Sequence, residues 1–265
     1  MDKVKTIIDK EWAEVFKNRL VLSITAFLPL FMAVLPVFML WLYERFPEDM
    51  NSFNTGGDQF LEIFSETCAG LSEMECLEVY TLSLFMFMFM ILPVAIPVTI
   101  AAYSVVGEKT THSLEPLLAT PITTLQLLSG KAIAAMAPAI LATWISYIIF
   151  LIGARLMVDD VVFAQLMDPM WLLAIFIVGP LLALLAVCFS LMVSARVSDP
   201  RVAEQLSALI IMPLILLVIG QSIGLILINT QIILIMGIVV AVLDVILVMI
   251  TVQLFERETI LTRWK

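Results

Sequence analysis

The sequence predicts an all-α polytopic membrane protein: an N-terminal interfacial amphipathic helix, then six transmembrane helices in one domain. Three observations carry this reading. Hydrophobic residues fill 62% of the 265 positions and charged ones only 14%, with a mean hydropathy of +1.08, far from the balance of a soluble domain. Six apolar runs each approach or exceed the ~20 residues that a ~30 Å hydrocarbon core requires. Lysine and arginine, finally, fall almost entirely on alternate connections between those runs.

Residues 2–19 come first. Val4, Ile7, Ile8, Trp12, Val15 and Phe16 recur at helical spacing, while Lys3, Lys10 and Lys17 share another side. Such a helix lies in the headgroup plane, with Trp12 at the interface and its lysines toward anionic lipid. The spans follow at about 20–43, 79–106, 132–154, 171–194, 205–228 and 232–255, without an internal repeat. The first is too long for a signal-peptide core and lacks a cleavage site, so it is expected to remain a span.

Between the second and third spans lies the stretch 107–131, GEKTTHSLEPLLATPITTLQLLSGK. Ser113 reads as an N-cap, with Leu114, Glu115 and Pro116 in the first turn of a short helix. Leu114, Leu117 and Leu118 then share one face, and Thr120 before Pro121 ends the turn. A short leucine-faced helix hung between two spans suits docking into another protein's groove.

Glu108, Ser113-Leu114-Glu115, Leu117-Leu118, Pro121 and Gly130-Lys131 together resemble the signature of ABC export permeases of the ABC-2 type. One departure is His112, where that family usually has glycine. The resemblance extends to the N-terminal helix, whose Lys10-Glu11 is similar to a family motif that braces the ATPase contact. It extends also to the tail Phe255-Glu256-Arg257-Glu258. It implies an ABC-2 exporter architecture in which 107–131 is the coupling loop. It further implies that ATP and Mg are bound by a separate ABC ATPase subunit, and that the permease pairs with a second copy or a paralogue. Glu11 has an alternative reading, as a surface carboxylate snorkelling to water.

Other residues leave alternatives open. Gly220 and Gly224 form a GxxxG pair in the fifth span, beside Gln221 and Ser222, and are dimer-interface candidates. Asp244 is the one ionisable residue deep in a span, so it either binds a cation or stays protonated beside a hydroxyl. Cys68 and Cys76 share the first outer loop and would bridge in an oxidising compartment, whereas Cys188 reads as a small apolar residue. A short helix is expected after Gly56-Gly57-Asp58. Seven of the twelve prolines (29, 36, 93, 97, 138, 180 and 213) fall in spans, kinking them, and the Pro93/Pro97 pair stands directly above the central loop. The connection Asn229-Thr230-Gln231 leaves no room for re-entrant outer helices unless the flanking spans are shorter than drawn.

Several functions are excluded. Gly130-Lys131 is followed by Ala132 and preceded five residues earlier by Leu125, so no phosphate-binding P-loop is present. One histidine cannot furnish a hydrolytic triad, and no metal-ligand spacing exists. The sixteen methionines lack histidine or cysteine partners and read as packing. Nothing interleaves basic and aromatic residues as nucleic-acid binding needs. The expected function is therefore that of an export permease which is not itself an enzyme. The rival readings are a stand-alone ion channel or secondary carrier using Asp244, and a membrane scaffold anchoring a partner complex.

Twelve of the fourteen lysines and arginines lie on one side of the predicted spans, leaving Arg45 and Arg155 opposite. Both termini are thereby expected to be cytoplasmic, in a multi-pass plasma-membrane protein. Between Glu44 and Glu78 there are nine carboxylates and one arginine, as a translocated loop allows. A cysteine introduced at Asp58 should accordingly react with an impermeant thiol reagent on intact cells, and one at Thr110 should not. Labelling at 110 from outside would invert the topology.

Overall fold

The computed structural model describes residues 2–17, 19–46, 72–110, 122–226 and 228–255. Among these the chain is helical throughout. Helix α1 spans Asp2–Lys17 and α2 Arg19–Arg45, then α3 Glu73–Phe89, α4 Leu92–Thr110 and α5 Thr124–Arg155. The short α6 (Asp160–Leu166) and α7 (Pro169–Leu173) lead through a π-helical turn, Ala174–Val178, into α8, Gly179–Arg196. Last come α9 (Pro200–Ser207), a 3-10 turn at Ala208–Ile211, α10 (Met212–Ser222) and α11 (Thr230–Leu254). Six of these stretches are long and apolar enough to cross a membrane.

The second span is built from α3 and α4, broken at Met90 and Ile91. Pro93 explains the break: it has no N–H to offer the Phe89 carbonyl, and its ring collides with that carbonyl in a regular helix. The chain compensates with tighter bonds, Met90 N–H to the Phe87 carbonyl and Ile91 N–H to the Met88 carbonyl, both 3.0 Å. Pro180 acts the other way. The turn ahead of it widens, and the Gly179 N–H reaches five residues back to the Ala174 carbonyl.

Packing is centred on α4 against α8, which form the broadest helix–helix contact in the bundle, with α5 and α11 against their flanks. The apolar window of the second span is 72% buried and that of the sixth only 17%, so the one is core and most of the other's surface is left uncovered by the rest of the chain. Helix α2 packs on α5, where the Ser146 hydroxyl donates to the Pro29 carbonyl.

Several element ends differ from those expected. The third span begins eight residues before Ala132, because Thr123 and Gln126 cap α5 reciprocally, each side chain bonded to the other's backbone N–H at 3.2 Å. At 32 residues α5 is ~48 Å long and extends well beyond a bilayer core. Ser72 and Glu75 likewise start α3 ahead of the expected Val79. The expected helices after Asp58 and over 113–118 lie outside the described residues, as do Cys68, Ser113, Leu114, Glu115, Leu117, Leu118, Pro121 and the tail from Glu256.

The fifth span requires a correction. Gly220 and Gly224 do not share a helical face, because α10 ends at Ser222. Gly224 has φ 73°, the left-handed conformation that only glycine adopts without steric cost. Its N–H donates to the Gln221 carbonyl at 3.0 Å, and the Leu225 N–H to the Gly220 carbonyl at 2.9 Å, the paired bonds of a Schellman stop. Gly220 is occupied within the chain: a Cβ there would lie 2.9 Å from Ile226. The connection to α11 is therefore 223–229, longer than expected, and Asn229 caps α11 by accepting from the Ile232 N–H at 3.0 Å. Replacing Gly224 with alanine should cost about 1 kcal/mol in thermal unfolding, the penalty of a Cβ at positive φ. Self-association, measured by cross-linking, should be unchanged. Loss of cross-linking with unaltered stability would return these glycines to an interface.

Candidate functional site

Five of the residues singled out from the sequence converge where α1 lies against the facing ends of α4 and α5. Glu108 belongs to the last turn of α4 and Lys131 to the second turn of α5, so they flank the segment 111–121. Helical spacing aims both inward, toward α1. There the Lys131 ammonium lies 2.6 Å from the Glu11 carboxylate and 2.8 Å from that of Glu108. It also donates to the Ser104 hydroxyl at 2.7 Å. Lys10 approaches the other Glu108 oxygen at 2.5 Å and reaches Glu14 at 3.7 Å.

Lys10, Lys131, Glu11 and Glu108 thus form one ionic cluster, with Glu14 at its exposed edge. The side chains of Glu11, Glu108 and Lys131 are each only 3% exposed, which an isolated charge would not tolerate. Burial by itself would push the Glu11 carboxyl up. The Lys131 ammonium and the Ser104 hydroxyl outweigh it and hold that carboxyl below the usual range. For Lys10 burial alone would act downward, but the Glu108 carboxylate, then Glu14 and Glu11, keep the ammonium above its ordinary value. Glu11 therefore contributes stability that is lost as pH falls through its lowered folded value. Lys10 contributes stability lost as pH rises through its raised one. Across the neutral range both Glu11 and Lys10 are therefore charged.

Two uncharged contacts finish the dock. Gly130 lets α1 come close: a Cβ built there would stand 2.7 Å from the Ile7 side chain. The Trp12 indole N–H donates to the Ala134 carbonyl at 3.0 Å. That carbonyl lacks its usual helical partner because the residue four positions on is Pro138. A proline in the third span thus creates the acceptor that α1 uses. Trp12 and Lys10 were expected to face headgroups and anionic lipid; both instead turn into the bundle, and Glu11 does not snorkel. Lys3 and Lys17 stay on the exposed side.

A family model described as ABC-2 family transporter protein matches residues 5–254. The chain belongs to this family. The match runs from the first turn of α1 to the end of α11, so the whole charge cluster lies inside it. Comparison with curated proteins gives no match. The chain is thus an ABC transporter permease, a multi-pass membrane component of a family generally not itself catalytic. Among the described residues no group of three metal ligands occurs.

The remaining candidates of this permease lie elsewhere. Asp244 is in the middle of α11, Gly220 in the last turn of α10 and Gly224 just beyond it. Cys76 is buried in the first turn of α3, at the opposite end of that span from Glu108. Ser104, Gly130 as the seat of Ile7, and Ala134 were not foreseen. A Pro138 four residues after Ala134 was the available signal for the last of these.

Lys131→Met should leave two buried carboxylates facing one half-exposed lysine. A loss of about 3–5 kcal/mol, the cost of breaking a buried pair, is expected in chemical unfolding of the detergent-solubilised permease. Adding Glu11→Gln should recover part of it. A Lys131→Met protein as stable as wild type would show that the cluster does not hold α1.

Proposed function

We propose that this permease is the export subunit of an ATP-driven transporter and that the cluster of Lys10, Glu11, Glu108 and Lys131 couples it to the ATPase. ATP and Mg are bound and hydrolysed by a separate ABC ATPase subunit. The permease works as a pair with a second copy or a paralogue, in the plasma membrane with both termini cytoplasmic.

One observation carries the reading. The segment 111–121, which has the leucine-faced pattern suited to a partner's groove, is flanked by two residues that form one buried ionic cluster. A push on that segment cannot separate α4 from α5, or either from α1, without stranding a buried charge. The three ends therefore move together. Helix α4 carries the motion onward, since its broadest contact is with α8 in the centre of the bundle. Docking of Leu114, Leu117 and Leu118 supplies a few kcal/mol, at about 1.5–3 kcal/mol per fully buried side chain before association costs. Glu108 is already committed within the permease, so Glu115 is left to set register against basic groups on the ATPase.

The stand-alone carrier reading draws less support, because Asp244 has no second charge beside it among the described residues.

Changing Leu117 and Leu118 together to Asp should leave insertion intact and either release the ATPase or uncouple its hydrolysis from flux in proteoliposomes. The proposal would be falsified by a double variant that keeps ATPase binding and ATP-driven transport at wild-type levels.

A further inference from the structure

Helix α11 buries one narrow stripe, Ile233, Val240, Asp244 and Thr251, spaced as successive inward positions of a helix. The stripe packs on α8 and on the π-helical turn that precedes it. Asp244 therefore sits inside a helix–helix seam. It is 3% exposed, and both carboxylate oxygens are buried without a hydrogen-bond partner. Because the rest of this one chain already covers it, neither a lipid headgroup nor a second permease copy can reach it to supply a counter-charge.

The groups facing it are few. Across the seam lies Cys188 of α8, with Thr251 on the same stripe of α11, and among the described residues no charged side chain is turned toward it. The Thr251 hydroxyl donates to its own helix, to the Leu247 carbonyl at 2.7 Å. A bare carboxylate in such a place costs at least a few kcal/mol. A metal cation would need several oxygen ligands, and one carboxylate, a thiol and a threonine do not make that set.

We propose that Asp244 is a proton-binding site in the seam between the fourth and sixth spans, carrying its proton whenever α11 is packed on α8. The step is an acid–base one: a proton from water joins one carboxylate oxygen when the seam closes, and returns to water if the seam opens and hydrates. Neither electrons nor a co-reactant is needed. The site depends on the packing of α8 and α11 and not on the coupling reading above, so either can fail without the other.

Infrared spectroscopy of the full-length permease in lipid bilayers tests the site directly. A protonated carboxyl has a C=O stretch that a carboxylate lacks. At neutral pH the wild-type spectrum minus that of Asp244→Asn should show this band. Should Asp244→Asn fail to accumulate, the wild-type protein labelled with carboxyl-13C aspartate should show the band displaced. The absence of any such band at neutral pH would mean that Asp244 is ionised, whether bare or bound to a cation, and would overturn the proposal.

Discussion

A lysine ammonium buried between two glutamates is the constraint on which the packing of α1 against this permease's bundle depends. Lys131 cannot be dehydrated alone, and Glu11 and Glu108 come from two other helices, so charge balance joins α1, α4 and α5 at one point. Buried ion pairs are poor sources of net stability compared with apolar packing of equal volume, since desolvation offsets most of the attraction. What they impose is specificity: any arrangement that parts the helices strands a charge. That property suits a joint through which motion passes, because the joint is either complete or costly to break.

Proline shapes the bundle by the bonds it withholds. At Pro93 the chain answers by breaking the second span into two helices, and ahead of Pro180 it answers by widening a turn. At Pro138 the helix continues, and the freed Ala134 carbonyl is taken by the Trp12 indole from outside. The first two responses are local. The third recruits another helix, and it explains why an aromatic residue expected at the membrane interface is turned inward.

Much of the plan was readable in advance because bilayer physics acts on sequence directly. Apolar length and the period of α1 are one-dimensional signals, and the spans that apolar length predicts are present, with ends displaced by up to eleven residues. Some displacements were themselves legible: Ser72 with Glu75 and Thr123 with Gln126 are capping boxes in plain sequence. The glycine pair misled because GxxxG spacing assumes an unbroken helix. Whether Gly224 continues a helix or stops it is decided by a backbone angle that spacing does not encode.

The sequence by itself determined that the chain is helical and membrane-spanning, since water and hydrocarbon sort residues by type and run length alone. It also marked Lys10, Glu11, Glu108 and Lys131 through their resemblance to a family pattern, and Trp12 as an aromatic on the amphipathic N-terminal helix. Only the tertiary structure decided that these five meet, that Lys10 and Trp12 turn inward, and that Asp244 faces a seam with no counter-charge among the described residues. Lys10 and Glu108 are 98 residues apart in the chain. A pairing over that distance is set by which helices pack, and a charged side chain chooses between lipid headgroup and buried partner only once those helices are in place.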